Sequence, residues 1–412
     1  MKKQYAFVFI IWAAVCVLGA LPYFLSGHAG NFTDALFESV SGFTTTGATV
    51  LLKKGESSNL PDWIFFFRSF SQWIGGLGVL FTFVVIPVYT TGGFQLKKIV
   101  TANSGSEKVL PRFHKFIFYL FIIYTSLTAL QFFSLLLFGT NWFTALTQSF
   151  STISTGGFFI QKNNIAIFNS ASIEWIHIIF MFLSGINIYL IWLIFYGKAK
   201  NVFLNSEVRV YAGVILLASL VVTIMIVSQS SSAGTALRHA FFNVVSVIST
   251  TGFLTGDVTS WSFAAQGVLF FLLFIGGCSF SAAGGIKIIR FIMLGKQTLN
   301  ELKRLVYPHG TFIIKLDGKR ANKRAVHGAA GFIFLYFLIL AAAALLVSSS
   351  GADILTSVIT AAVCQGNIGL GTYIPFHEFP NYVKWGLCLV MIIGRLELSI
   401  ALIIFNWNFW KR

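Results

Sequence analysis

The chain has 412 residues, of which 56% are hydrophobic and only 10% charged, and its 29 Lys and Arg against 13 Asp and Glu give a net charge of +16. A water-soluble domain carries about 25% charged residues, so this chain cannot cover a surface that faces water, and lipid is the simpler solvent. Its four cysteines, Cys16, Cys278, Cys364 and Cys388, form no close-spaced pair, which leaves no zinc spacing and no disulfide framework to read.

The first apolar run, residues 4–25, follows "MKK". It is long, lacks a small-residue cleavage site and is followed by many more spans, so it reads as a retained helix and not as a leader. A short amphipathic segment with a Gly/Thr-rich loop follows at 31–50, and a second span at 63–89 closes the unit. The same order returns at 113–138, 142–159 and 173–196, again at 208–227, 235–256 and 263–291, and finally at 326–347, 352–371 and 383–405. The units therefore divide the chain at 1–98, 99–200, 201–324 and 325–412.

The short segments align without gaps: "ALFESVSGFTTTGA" from Ala35, "ALTQSFSTISTGGF" from Ala145 and "AFFNVVSVISTTGF" from Ala240, with "SVITAAVCQGNIGL" from Ser357 matching in shape. Each has about ten residues of helical pattern, too short to cross a hydrocarbon core of roughly 30 Å. Each puts a glycine at the same point: Gly47, Gly157, Gly252 and Gly369. Repetition at this scale fixes architecture. The expected fold is an all-α integral membrane protein of four pseudo-symmetric helix–pore loop–helix units, with eight spanning helices and four re-entrant pore helices around one central pore.

With a cytoplasmic N-terminus and eight crossings, most Lys and Arg fall inside, among them Lys97, Lys98, Lys198, Lys200, Lys303, Arg304, Lys319, Arg320, Lys323 and Arg324. Most acids fall outside, including Glu38, Asp62, Asp257 and Asp353. That is the positive-inside distribution, and it puts both termini in the cytoplasm. The charge is thus topology and not a footprint for nucleic acid. A basic inner face also suits anionic membrane lipid or an acidic cytosolic partner.

All four Gly/Thr loops then dip in from the outer side. Non-helical backbone at membrane depth is tolerated only inside protein or along a watery path. A ring of carbonyl oxygens replaces the hydration shell of a monovalent cation. Glycine permits close backbone approach, and Thr and Ser add uncharged hydroxyls. The short helices would point their negative C-terminal ends at the centre, which also favours cations. A ring of carboxylates would instead hold cations tightly and favour divalents.

These motifs resemble a known family. "SGFTTTGATV" with "QWIGGLGVLFTFVVIPV" and "TGGFQLKK" is similar to the first unit of the bacterial Trk potassium-uptake subunits. "FIGGCSFSAAGGIKIIR", "LNELKRLVYPHGTFIIKL" and "IIGRLELSIALIIFNWNFWKR" resemble that family's third and fourth units. The wider group is the Trk/Ktr/HKT superfamily, and the resemblance covers nearly the whole chain. It implies a potassium filter at Thr45, Thr46 and Gly47; Thr155, Gly156 and Gly157; Thr250, Thr251 and Gly252; and Asn367, Ile368 and Gly369. It also implies a homodimer with one pore per protomer, and a cytosolic nucleotide-binding ring subunit that regulates it. The chain departs from the family in "FSAAGG" (280–285), where a "GSTGGG" type of run is usual, and in "GNIGLG" (366–371), where a proline often follows the glycine. Many members also carry a helix pair ahead of the first unit, whereas here Met1 precedes that unit directly.

In the third unit Gly276, Gly277, Gly284 and Gly285 surround "CSFSAA". Glycines in a helix interior are costly, so the stretch 276–285 is either a site of close helix packing or an unwound loop; the resemblance implies a gating loop. Arg395 lies within the last span, where a charge is expensive and faces protein or water. It is either a structural ion pair, with Glu397 as a poor candidate two residues on, or a positive group on the inner pore wall. Glu38 either concentrates cations or bonds locally, and Asp257 reads as a solvated loop acid. The seven histidines show no ligand spacing, and no catalytic triad, P-loop or dinucleotide fingerprint occurs, so an enzyme is not expected. The functional expectation is potassium uptake; the alternative is a secondary transporter coupling sodium or protons to a solute, which would need acidic groups at mid-membrane.

Overall fold

Capping and apolarity together set out four repeats in the computed structural model, which describes residues 2–51, 60–85, 109–159, 168, 170–195, 197, 199–230, 232–370 and 375–396. The first repeat holds α1 (Lys2–Leu25), α2 (Phe32–Phe43) and α3 (Asp62–Val85). The second holds α4 (Val109–Leu137), α5 (Trp142–Ile153) and a bent pair, α6 (Ala171–Ser184) and α7 (Ile188–Phe195). After the short α8 (Ala199–Phe203), the third holds α9 (Ser206–Ile226), α10 (Ala233–Ile248), α11 (Phe263–Leu272) and α12 (Ile288–Val306). The fourth holds α13 (Lys323–Ser348), α14 (Ile354–Gly366) and α15 (Asn381–Arg395).

This is an all-α membrane architecture. Among the described residues five helices are long and apolar enough to cross a bilayer, and six with the bent pair taken as one span. Their outward side chains remain apolar and exposed, as at Phe7, Leu18, Leu137, Ile224, Phe334 and Leu345, which is the surface a lipid solvent requires.

The four short helices α2, α5, α10 and α14 each begin on a polar cap. Asn31 accepts from Asp34 N, Asn141 from Phe143 N, Ser232 from Thr235 N and Asp353 from Thr356 N. Such caps satisfy backbone donors that the first turn leaves free. The inner halves of all four helices are buried. Two large apolar bodies hold them. One gathers the first and fourth repeats; the other gathers the second and third, joined by Leu77 and Leu80 of α3 and by Ile368 of the fourth loop.

Two expected spans are not continuous helices. The run at 173–196 breaks after Ser184 and bends by 106°. The run at 263–291 leaves helix after Leu272 and resumes at Ile288. The two breaks satisfy each other's backbone: Cys278 N donates to Gly185 O at 2.9 Å, and Ile188 N to Phe280 O at 3.1 Å. Within the second break, Gly276 N donates to Ile286 O and Ile288 N to Gly277 O. Unwound backbone thus survives at membrane depth because freed groups find partners within their own break or in the other one. The last span ends its described part at Arg395, so its expected reach to 405, and Glu397 with it, lie outside the described residues, as do Gly371, Lys97, Lys98 and Lys198.

One feature was not expected. A two-strand hairpin, β1 (Lys315–Leu316) and β2 (Lys319–Arg320), turns through Asp317 and Gly318, both at positive φ. Asp317 accepts from Ser206 N at 2.8 Å, so the hairpin holds down the start of α9.

Candidate functional site

Each short helix stops in the same way. The residue after its last turn takes a left-handed φ: Thr45 at 53°, Thr155 at 56°, Thr250 at 60° and Asn367 at 51°. The next N–H then reaches back to the helix: Thr46 to Ser41 O, Gly156 to Ser151 O, Thr251 to Ser246 O and Ile368 to Val363 O, at 2.8 to 3.0 Å. This is Schellman-type closure, normally given to glycine or asparagine. A β-branched residue in that region is strained by roughly 1–2 kcal/mol, and three loops out of four accept the strain. Such local strain collects at functional sites. Gly47, Gly157 and Gly252 follow at φ of 74°, 74° and 78°. Gly369 is not among the positive-φ residues, so the fourth loop leaves the ring by a different path.

The four loops come together. A Cβ on Gly47 would stand 2.2 Å from Gly156 O and 2.8 Å from Gly369 Cα. One on Gly157 would stand 2.0 Å from Thr251 O, and one on Gly252 2.2 Å from Gly369 C. Opposite repeats touch as well, since a Cβ on Gly157 would lie 2.7 Å from Gly369 Cα. All twelve residues marked by the resemblance are buried. The backbones of the four loops therefore approach closely at the glycine level.

Hydroxyls link the loops internally and to one another. Thr44 and Thr46 Oγ1 are 2.8 Å apart, and Ser249 Oγ and Thr251 Oγ1 repeat that pair at 2.8 Å in the third loop. Asn367 Nδ2 donates to Thr46 Oγ1 and to Met391 O. The second loop differs: Gly156 has no hydroxyl, and its carbonyl accepts from Gln72 Nε2 at 2.7 Å. One carbonyl expected to be free for an ion is thus engaged from behind.

Beneath the ring lies the unwound stretch 276–285. Thr155 Oγ1 donates to Ala282 O at 3.0 Å, and Gly284 N donates to Thr250 Oγ1 at 2.7 Å. A Cβ on Gly284 would meet Gly366 O at 2.1 Å, and one on Gly277 would meet Gly185 O at 2.7 Å. These glycines, with Gly276 and Gly285, serve close backbone approach within a loop and not helix-to-helix packing. Arg395, 3% exposed, donates from Nη1 to Ala282 O at 2.8 Å. Arg395 Nε and Nη2, Thr45 Oγ1 and Asn367 Oδ1 find no partner among the described residues. Of these, the unpartnered oxygens of Thr45 and Asn367 suit water or a cation, whereas the Arg395 N–H groups suit water or a further acceptor. Among the described residues no group of three or more His, Cys, Asp or Glu could hold a metal, so any ion here must be met by neutral oxygens.

Glu38 is held by local partners. It is wholly buried behind the first loop, 2.7 Å from Arg68 Nε, and accepts from Thr49 Oγ1 and from Val50 N at 3.0 Å. Of its two readings, the local bond is the one the geometry has. Asn243 does the same for the third loop, bonding Thr255 twelve residues on as Glu38 bonds Val50. Arg68 also stacks on Phe158 of the second loop, 4.1 Å from its ring centre. Asp257 is an exposed loop acid bonded to Thr259. Arg68 and Gln72 were missed from sequence; a charged and an amide side chain four apart in a largely apolar span, hence on one face, were the available signal.

A family model described as "Cation transport protein" (TrkH) matches residues 1–411. The Trk system potassium uptake protein TrkH of Salmonella typhimurium strain LT2 is 33% identical over 419 residues, spanning 100% of this chain and 86% of that protein. The Trk system potassium uptake protein TrkG of Escherichia coli strain K12 is also 33% identical, over 427 residues, with the same coverage. Among solved structures, the crystal structure of the potassium transporter TrkH from Vibrio parahaemolyticus matches with a TM-score of 0.89 at 31% identity, covering 100% of this chain and 86% of that one.

Proposed function

The chain belongs to the TrkH family of cation transport proteins, and from that premise we propose that it takes up potassium across the plasma membrane through the ring of four loops. The observation that carries this reading is the meeting of the four loops at Gly47, Gly157, Gly252 and Gly369. A cation entering from outside would shed water against backbone and hydroxyl oxygens of the twelve loop residues. The C-terminal ends of α2, α5, α10 and α14 add negative potential there. Neutral oxygens let the ion leave again, which a carboxylate cage would oppose.

Below the ring, the stretch 276–285 and Arg395 form the gate in this proposal. The bonds that Thr155 and Arg395 donate to Ala282 O, and the one that Thr250 accepts from Gly284 N, support it, because they tie the loop to the ring it would obstruct and to α15. Family membership supports a homodimer, and a cytosolic nucleotide-binding ring subunit that moves this loop. Exposed Lys296, Lys303, Arg304, Lys315, Arg320 and Arg324 lie on the face assigned to the cytoplasm, together with both termini, and suit an acidic partner or anionic lipid.

Tracer flux into proteoliposomes, with potassium replaced stepwise by sodium, tests the proposal. Potassium or rubidium flux several times that of sodium is expected. Solute accumulation driven by sodium or protons, with no potassium flux, would overturn it.

A further inference from the structure

Gly156 poses a question the other loops do not. Its counterparts in the first and third loops are Thr46 and Thr251, whose hydroxyls bond Thr44 and Ser249. The second loop has the matching hydroxyl in Ser154, yet glycine follows two residues later. Conformation does not demand that glycine, because Gly156 is absent from the positive-φ residues. What excludes a side chain is Gln72: a Cβ on Gly156 would lie 2.3 Å from its Cδ, 2.5 Å from Oε1 and 2.6 Å from Nε2. The carboxamide itself is fully buried, and its Oε1 also accepts from Phe158 N at 3.4 Å. Nε2 donates to Gly156 O at 2.7 Å, and Oε1 accepts from Ser151 Oγ at 2.8 Å.

We infer that Gln72, on α3 of the first repeat and outside all four loops, is a positioning residue for ion selection: its carboxamide takes the place of the side chain that the second loop lacks at Gly156 and fixes the direction of that loop's carbonyl. The inference rests on the reading of the ring as a filter. In the first and third loops a threonine braces its own loop from within. In the second, the brace comes from the neighbouring repeat, so the loop's geometry depends on how α3 sits against α5. A bond from outside is also one that movement of α3 can release.

The test is reciprocal exchange. Gln72→Ala and Gln72→Met, the latter keeping the length without polar ends, are expected to lower the potassium-to-sodium flux ratio about threefold to tenfold, the scale of one lost hydrogen bond. Gly156→Thr alone should do likewise, because its side chain collides with Gln72. The double variant Gly156→Thr/Gln72→Ala should return to within about twofold of the native ratio, with the new hydroxyl bonding Ser154 as Thr46 bonds Thr44. Thermal stabilisation by potassium over sodium chloride reads the same selection without flux and should be lost and regained in parallel. If a single variant fails to fold, recovery in the double supports the inference and lack of recovery counts against it. Gly252→Ser serves as the control. If it alters the ratio while folded Gln72 variants keep the native one, or if the double is no better than the singles, the inference fails and the filter stands. A native ratio in Gly252→Ser would bring down the filter reading itself, and the inference with it.

Discussion

Arg68 and Glu38 meet 2.7 Å apart with both side chains sealed from solvent, one on α3 and the other on α2. The pair is more than an isolated bridge. Glu38 also holds Thr49 and Val50 at the exit of the first loop, and Arg68 lies over the ring of Phe158 in the second. Removing one member of a buried pair strands the other charge at a cost of about 3–5 kcal/mol, whereas replacing both with apolar groups is far milder. Glu38→Ala is therefore expected to lower the unfolding temperature of the purified protein sharply. Glu38→Leu with Arg68→Met should recover most of that loss while leaving Val50 N without its acceptor. Thermal unfolding of the two variants side by side checks this; equal damage in both would show that the charges do not act as a pair.

The ring glycines make a second prediction. Gly47 and Gly252 combine positive φ with backbone of neighbouring loops inside 2.3 Å of any Cβ. Gly47→Ser and Gly252→Ser must displace a neighbouring loop, because the obstacles are carbonyl and Cα atoms that cannot rotate away. Discrimination of potassium from sodium is expected to weaken by about tenfold, or 1.4 kcal/mol, measured as the ratio of tracer fluxes. Unchanged ratios in folded variants would argue that these glycines serve packing alone.

The repeats were legible because apolar length and a gapless motif are local properties. Residues 35–48, 145–158 and 240–253 carry the pattern on their face, and the structure gives them the same turn and the same left-handed residue. The breaks were less legible. Gly185 sits in an apolar run that passes for one span, and only its pairing with Cys278, more than ninety positions away, makes the bend affordable. Glu38 could be read either way, since nothing local says that Arg68 lies behind it. Gln72 carried only the weak signal of a polar residue one turn from Arg68: its meaning lies in the missing side chain of Gly156, and a relation across repeats cannot be read from either residue singly.

A third prediction concerns how the lower loop is seated. Gly277 packs where a Cβ would meet Gly185 O at 2.7 Å and the Ala283 methyl at 2.9 Å. Gly277→Ala is thus expected to push 276–285 away from the bend at Gly185 and to strain the bond from Cys278 N. If that loop obstructs the path, tracer flux should rise severalfold in proteoliposomes. A fall in flux with intact folding would mean that the seated loop supports conduction.

Arg395 offers the sharpest separation of two roles. Its guanidinium donates to Ala282 O, the carbonyl that Thr155 of the second loop also bonds. Arg395→Ala removes tether and charge together and is expected to raise cation flux by about tenfold, equivalent to lowering a barrier by roughly 1.4 kcal/mol. Arg395→Lys keeps the charge without the planar fork that reaches Ala282 O, whereas Arg395→Gln keeps a donor without the charge. If the charge sets the barrier, flux in Arg395→Gln should match that of Arg395→Ala, and Arg395→Lys should stay near the native value. If the tether to 282 sets it, the order reverses. Native flux in all three variants would remove Arg395 from the gate.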